Sequence, residues 1–160
     1  MTTFEAIAGA ASALEHSGLG EAARTSGWLY PLANLVHVLG AALLVGSIAT
    51  FDVQVLRRAY DVRALYHAAV VIAVTGFVLQ VISGIVLFSA DAGKVVHNPA
   101  FLFKMATLVI GLLNVAAFHW YFGGTLNQGA MLPPRARVLA AVSLASWVLV
   151  LLAGRSIAYV

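Results

Sequence analysis

Trp28-Leu-Tyr-Pro-Leu-Ala-Asn-Leu-Val-His37-Val-Leu-Gly-Ala-Ala-Leu-Leu-Val-Gly46 continues to Phe51 without one Asp, Glu, Lys or Arg. The run exceeds the roughly 20 residues that carry an α-helix across a bilayer. Inside it sits one imidazole. A polar ring in hydrocarbon is costly unless something binds it, so His37 is the first candidate for chemistry. The alternative is a histidine bonded only to a neighbouring Ser, Thr or Asn.

Three further runs of the same kind follow, and together the four cover about 29–51, 66–89, 100–122 and 138–159. The whole chain of 160 residues is 62% hydrophobic and 9% charged. Soluble domains carry about 25% charged residues. The runs lack the alternation of barrel strands, which leaves helices as the spanning elements. Short connections predict an all-α, up-down-up-down antiparallel four-helix membrane bundle, a single domain over 1–160.

Boundary residues agree with these spans. Pro31 falls in a first turn, Asn98-Pro99 reads as N-cap and N1, and Pro133-Pro134 breaks the chain before the fourth run. Trp28, Tyr30, Trp120, Tyr121 and Tyr159 lie at run ends, where interfacial aromatics gather. Ahead of the bundle, Phe4, Ile7, Ala8, Ala11 and Leu14 recur at helical spacing. Thr2 with Glu5 forms a capping-box pattern and Ser17-Gly18 a stop, so a short surface helix over 3–16 is expected. Glu5 and Glu15 and the lack of a basic n-region argue against a secretory signal peptide.

Charge sets an expected orientation. Arg57, Arg58, Arg63, Arg135 and Arg137 occupy two loops on one side, against Arg24, Lys94 and Arg155 on the other. The arginine loops then face the cytoplasm and both termini face outside, the periplasm for a bacterial inner membrane. The net charge of +3 is small and dispersed, and suggests membrane surface, not nucleic acid. With no cysteine, disulfides and thiolate chemistry are excluded.

At about 100° per residue, Asn34, His37, Gly40, Ala41, Leu44 and Ser47 share one side of the first helix, placing His37 inward. The small polar face of the second is Gly76, Gln80, Ser83 and Gly84, with His67 nearly opposite. The third has a stripe of Lys104, Thr107, Gly111 and Asn114. Lys104 and Arg155 fall near the depth of His37, where cations can hold the carboxylates of an acidic ligand. His119 lies more than about 10 Å from His37 in depth at 1.5 Å per residue, so one iron cannot join them; His119 would serve a separate inner site. Asp52 ends the first run and is expected to pair with Arg57 or Arg58. His16 and His97 read as surface residues. No Gly-rich phosphate loop, His-x-x-x-His or Glu-x-x-His pattern occurs, which disfavours nucleotide-driven, metalloprotease and di-iron functions.

Ser26-Gly-Trp-Leu-Tyr-Pro31, His37-Val-Leu-Gly40, Leu87-Phe-Ser-Ala-Asp-Ala92 and Asn98-Pro-Ala-Phe-Leu-Phe-Lys104 resemble an uncharacterised bacterial family of four-helix membrane proteins. A weaker resemblance is to the membrane protoporphyrinogen oxidase and copper-resistance D families. The oxidase pattern of Trp, His, Gly and Arg on the first helix and Lys and His on the third would fall on Trp28, His37, Gly46, Arg57, Lys104 and His119. Trp28 is further from His37, and His119 one turn further from Lys104, than that pattern has them. The resemblance implies haem at the first-helix histidine and a working role for the third-helix lysine.

Three functions follow from these readings. The first is a b-type haem protein for electron transfer or a related oxidoreductase step. His37 would ligate the haem iron, Lys104 and Arg155 would lie near the propionates, and a membrane or periplasmic redox partner would be needed. The second is a non-catalytic accessory subunit, or a homo-oligomer, packing through Gly40, Gly46, Gly76, Ser83, Gly84 and Gly111. The third is a small transporter or channel along Asn34, His37, Gln80, Lys104 and Asn114, for which no inverted repeat is evident.

Overall fold

The computed structural model describes residues 2–58, 62–127 and 131–159. Its elements are α1 (Thr3–Glu15), α2 (Gly18–Thr25), α3 (Leu29–Leu56), α4 (Arg63–Ser89), α5 (Ala92–Val95), α6 (Pro99–Asn127) and α7 (Pro134–Ser156), closed by a 3₁₀ turn at Ile157–Tyr159. Four spans, at Leu29–Leu56, Leu65–Ser89, Pro99–Leu126 and Pro134–Tyr159, have mean hydropathies of 1.9 to 2.5. Their outer faces carry Leu35, Val38, Leu39, Val71, Val74, Ile82, Val109, Leu113 and Leu152, all exposed. So much exposed apolar surface is untenable in water and ordinary in lipid. The protein is an integral membrane protein with an all-α bundle.

The helix starts use local chemistry. Asn98 Oδ1 accepts from the backbone N–H of Ala100 at 2.9 Å and of Phe101 at 3.2 Å, so it caps α6, and Pro99 follows at N1. Pro134 opens α7 in the same position. At Thr2 both halves of the capping box form: Glu5 N–H donates to Thr2 Oγ1 at 3.2 Å, and Thr2 N–H to Glu5 Oε2 at 2.6 Å. α3 ends at Arg58, whose φ of 58° is the left-handed turn that closes many helices.

One element, α2, departs from the sequence reading. Ser17 does end α1, but it then caps a second helix, α2, by accepting from Gly20 N–H. The surface helix also covers its own chain. Ala11 packs with Ala92 and Val96, and Glu15 Oε2 accepts from Gly93 N–H at 2.6 Å. Arg24 donates to the carbonyls of Glu15 and Ala90. These contacts fasten α1, α2 and α5 into a lid over the bundle end that holds both termini. His97, the outer-loop histidine, rests edge-on against Phe4 of this lid, with ring centroids 5.3 Å apart.

Within the bundle α3 packs along α4 and α7, and α7 along α6. The buried seam of α3 is Ala33, Gly40, Leu44, Phe51 and Val55, with His37 partly buried between. Its steps of three and four repeat every seven residues, the signature of supercoiled neighbours. At 100° per residue these residues centre on one flank of His37, and Asn34 lies on the other flank, about a quarter turn from the centre of the seam. Asn34 is exposed, where counting from His37 had placed it inward.

α3 and α4 meet backbone to backbone. A Cβ at Gly76 would lie 2.5 Å from Leu44 N and 2.7 Å from Gly40 O; one at Gly40 would lie 2.9 Å from Gly76 O. Close approach through small residues is how helices associate where lipid removes the hydrophobic drive. α4 and α6, although consecutive spans, touch sparsely. Phe88 stacks on Phe101 at the lid end with centroids 5.3 Å apart, and Tyr66 meets His119 at the arginine end at 5.6 Å.

Candidate functional site

The bundle interior is layered. Trp147 of α7 is 1% exposed and lies against Gly111 of α6, where an added Cβ would meet its ring at 3.5 Å. One turn toward the arginine end, Ser143 stands beside Asp52. Two turns toward the lid, Gly154 leaves room for Lys104: a Cβ there would meet Nζ at 3.5 Å. Trp147 therefore separates an outer polar layer around His37 and Lys104 from an inner one around Asp52.

The outer layer is held by α4. His37 Nδ1 lies 3.0 Å from Ser83 Oγ. Ser83 directs its own hydroxyl proton to the Leu79 carbonyl at 2.5 Å. Assigning the Ser83 proton to Leu79 makes the serine oxygen the acceptor, puts the imidazole proton on Nδ1 and leaves the lone pair on Nε2. The ring lies over Gly84, where a Cβ would stand 3.2 Å from His37 Cε1. Gln80 donates its side-chain N–H to the His37 carbonyl. The small polar face expected on α4 is therefore the seat of this histidine. The Ser83 bond is also the interaction that the alternative reading of His37 requires.

Lys104 shares this outer layer, with its side chain against Gly154 of α7. The stripe beyond it is interior as expected, with Thr107 and Asn114 buried. Asn114 spends its amide on α7, donating from Nδ2 to the Leu139 carbonyl at 3.0 Å. Arg155 is exposed; its guanidinium donates to Tyr159 Oη and lies 4.6 Å from that ring's centroid. It stands at the bundle surface, turned to the aromatic residue one turn on.

His119 is exposed and bonded through Nδ1 to the Val115 carbonyl of its own helix at 2.9 Å. His67 is exposed as well, and both rings meet Tyr66. This group sits at the arginine end, beyond Asp52 and Ser143 from His37, as the depth argument requires. Met105, at the depth of His37, faces outward.

The residue that the sequence placed least well is Asp52. Helix α3 runs past the apolar run to Leu56, so Asp52 lies inside the helix and not at its end. It is 4% exposed, its contact is Ser143 of α7, and Oδ2 has no hydrogen-bond partner. Arg57 and Arg58 are exposed, and the ion pair found among the described residues is Lys94–Asp91. The glycines of the accessory-subunit reading divide. Gly40, Gly76, Gly84 and Gly111 serve contacts within the chain, while a Cβ added at Gly46 would meet nothing within 4 Å. No family model, characterised protein or solved structure matches this chain, so its function has to be argued from these two layers.

Proposed function

We propose that this integral membrane protein binds haem b at His37 and serves electron transfer or a related oxidoreductase step. The direction of the hydrogen bonds at His37 carries the reading. Metal-binding histidines are commonly fixed through one ring nitrogen so that the other presents its lone pair. Ser83 fixes Nδ1 here, and Gly84 gives the ring its place.

The donor set fits a macrocycle better than a bare ion. Among the described residues no group of three or more His, Cys, Asp or Glu could hold a metal ion. Haem brings four nitrogens of its own and asks the protein for one imidazole. Lys104 would meet a propionate, since an ammonium in the same layer suits a carboxylate. Haem would supply the redox chemistry; the chain orients the imidazole, offers a cation and excludes water with apolar helix faces. Arg155 would take no part in its Tyr159-bound position.

Absorbance of protein produced with ample haem tests this. A Soret band should appear, His37→Ala should abolish it, and Ser83→Ala should weaken or shift it. Purified wild-type protein without a Soret band, or a band unchanged in His37→Ala, refutes the proposal.

A further inference from the structure

A cleft of about 400 Å³ opens between α4 and α6 where the two helices fail to meet. Small residues leave the gap: Ala69 and Ala73 on α4 and Ala116 on α6. The opening faces the surrounding lipid, because α4 and α6 are both spans. Phe51, Tyr66 and Phe118 form an aromatic wall. Phe51 stands edge-on to Phe118 with centroids 5.6 Å apart and tilts to Tyr66 at 5.7 Å.

Asp52 and Ser143 line the depth of this cleft. The acid is buried beside Ser143 and has no partner at Oδ2. The lining holds no Lys or Arg; the other titratable groups there are Tyr66 and His119, at the arginine end. An acid held in apolar surroundings without a counter-charge is costly. A cation entering the cleft would supply that counter-charge in a medium where Coulomb attraction is strong. Aromatic faces also attract cations.

We propose that the cleft binds an amphipathic organic cation, a single positive centre on an apolar or aromatic body, which enters from the lipid between α4 and α6. Asp52 selects the charge, and the alanine and aromatic walls take the body. The site is separate from His37, on the far side of Trp147, and does not depend on haem.

The test uses the full-length protein in detergent micelles, titrated calorimetrically with tetraphenylphosphonium and, as the neutral probe, triphenylphosphine oxide. Wild type should bind the cation, with the neutral probe and the Asp52→Asn variant both weaker by about tenfold or more. Ala73→Trp fills the cleft from α4 and should also abolish binding. Equal affinity of wild type and Asp52→Asn, equal affinity for the two probes, or no binding of the cation by wild type overturns the proposal. If Asp52→Asn loses helicity, Ala73→Trp decides: full retention of cation binding refutes the site, and loss with the fold intact supports it.

Discussion

Replacing Gly76 by alanine should cost far more than replacing Gly46, although both lie in membrane helices. The added methyl of Gly76→Ala would stand 2.5 Å from Leu44 N, 2.7 Å from Gly40 O and 3.0 Å from Leu44 Cα. These are backbone atoms, so no side chain can swing aside. Restoring ordinary contact needs α3 and α4 to separate by about 1 Å, which forfeits a quarter to half of the dispersion well for each facing pair. Overpacking of this kind costs about 1–3 kcal/mol. At Gly46 an added Cβ meets nothing within 4 Å. There the better helix propensity of alanine contributes up to about 1 kcal/mol in favour. That gain is common to both positions, so the two variants should differ by the overpacking cost, about 1–3 kcal/mol. Reversible unfolding in mixed micelles, titrated with sodium dodecyl sulfate and followed by far-UV circular dichroism, reads the difference. Equal midpoints would refute the close crossing of α3 and α4. A Gly46→Ala variant that loses stability would show that its face is covered, as a second copy or an accessory partner would cover it.

Three other outcomes follow from local geometry. Gly84→Ala puts a methyl 3.2 Å from His37 Cε1 and should displace the imidazole; in haem-loaded protein the Soret maximum or intensity should change while helicity is kept. Asn98→Ala removes the cap of α6 and a bond from Asn98 Nδ2 to the Ile157 carbonyl at 3.3 Å, so unfolding should be easier by about 1 kcal/mol or more in the same micelle titration. The chain has no cysteine of its own, so single Ser12→Cys and Arg135→Cys variants report orientation. In intact bacterial cells a membrane-impermeant maleimide should label Ser12→Cys and spare Arg135→Cys; the reverse pattern would refute the assignment of the arginine loops to the cytoplasm.

The spans are legible because a bilayer demands length and apolarity, and both are visible in one dimension. Their ends are less so. The run from Trp28 to Phe51 ends with its hydrophobicity, but the helix continues through Asp52 to Leu56 because Ser143 of α7 receives the acid and Phe51 and Val55 remain in the core. No local signal distinguishes an acid that ends a helix from one that a distant helix will bury. The same limit hides α2. Ser17-Gly18 carries a stop signal, and the helix that follows is held by tertiary contacts, Arg24 on Glu15 and Ala90 and the burial of Gly20 and Ala23.

Facing is legible where it depends on one helix and fails where it depends on two. Gly76, Gln80, Ser83 and Gly84 read as one polar face and are the face that receives His37. Counting from His37 alone puts Asn34 on the inner side of α3, yet the helices that pack on α3 bury the opposite flank of His37, through Ala33, Gly40 and Leu44, and leave Asn34 exposed. The cleft beside Asp52 has the same origin. Alanines at 69, 73 and 116 are ordinary as sequence, and they become a site because the two helices that carry them are held apart. Tyr66 on His119 bridges α4 and α6 at the arginine end of that gap, and Phe88 on Phe101 bridges the same two helices at the lid end. Shortening either bridge should therefore change the width of the cleft before it changes the fold. Tyr66→Ala is the sharper case, because Tyr66 also forms part of the aromatic wall: cation binding should weaken while the Soret signal at His37, on the other side of Trp147, stays as it was. Loss of both signals together would mean that the two layers are one site, and that the separation by Trp147 is wrong.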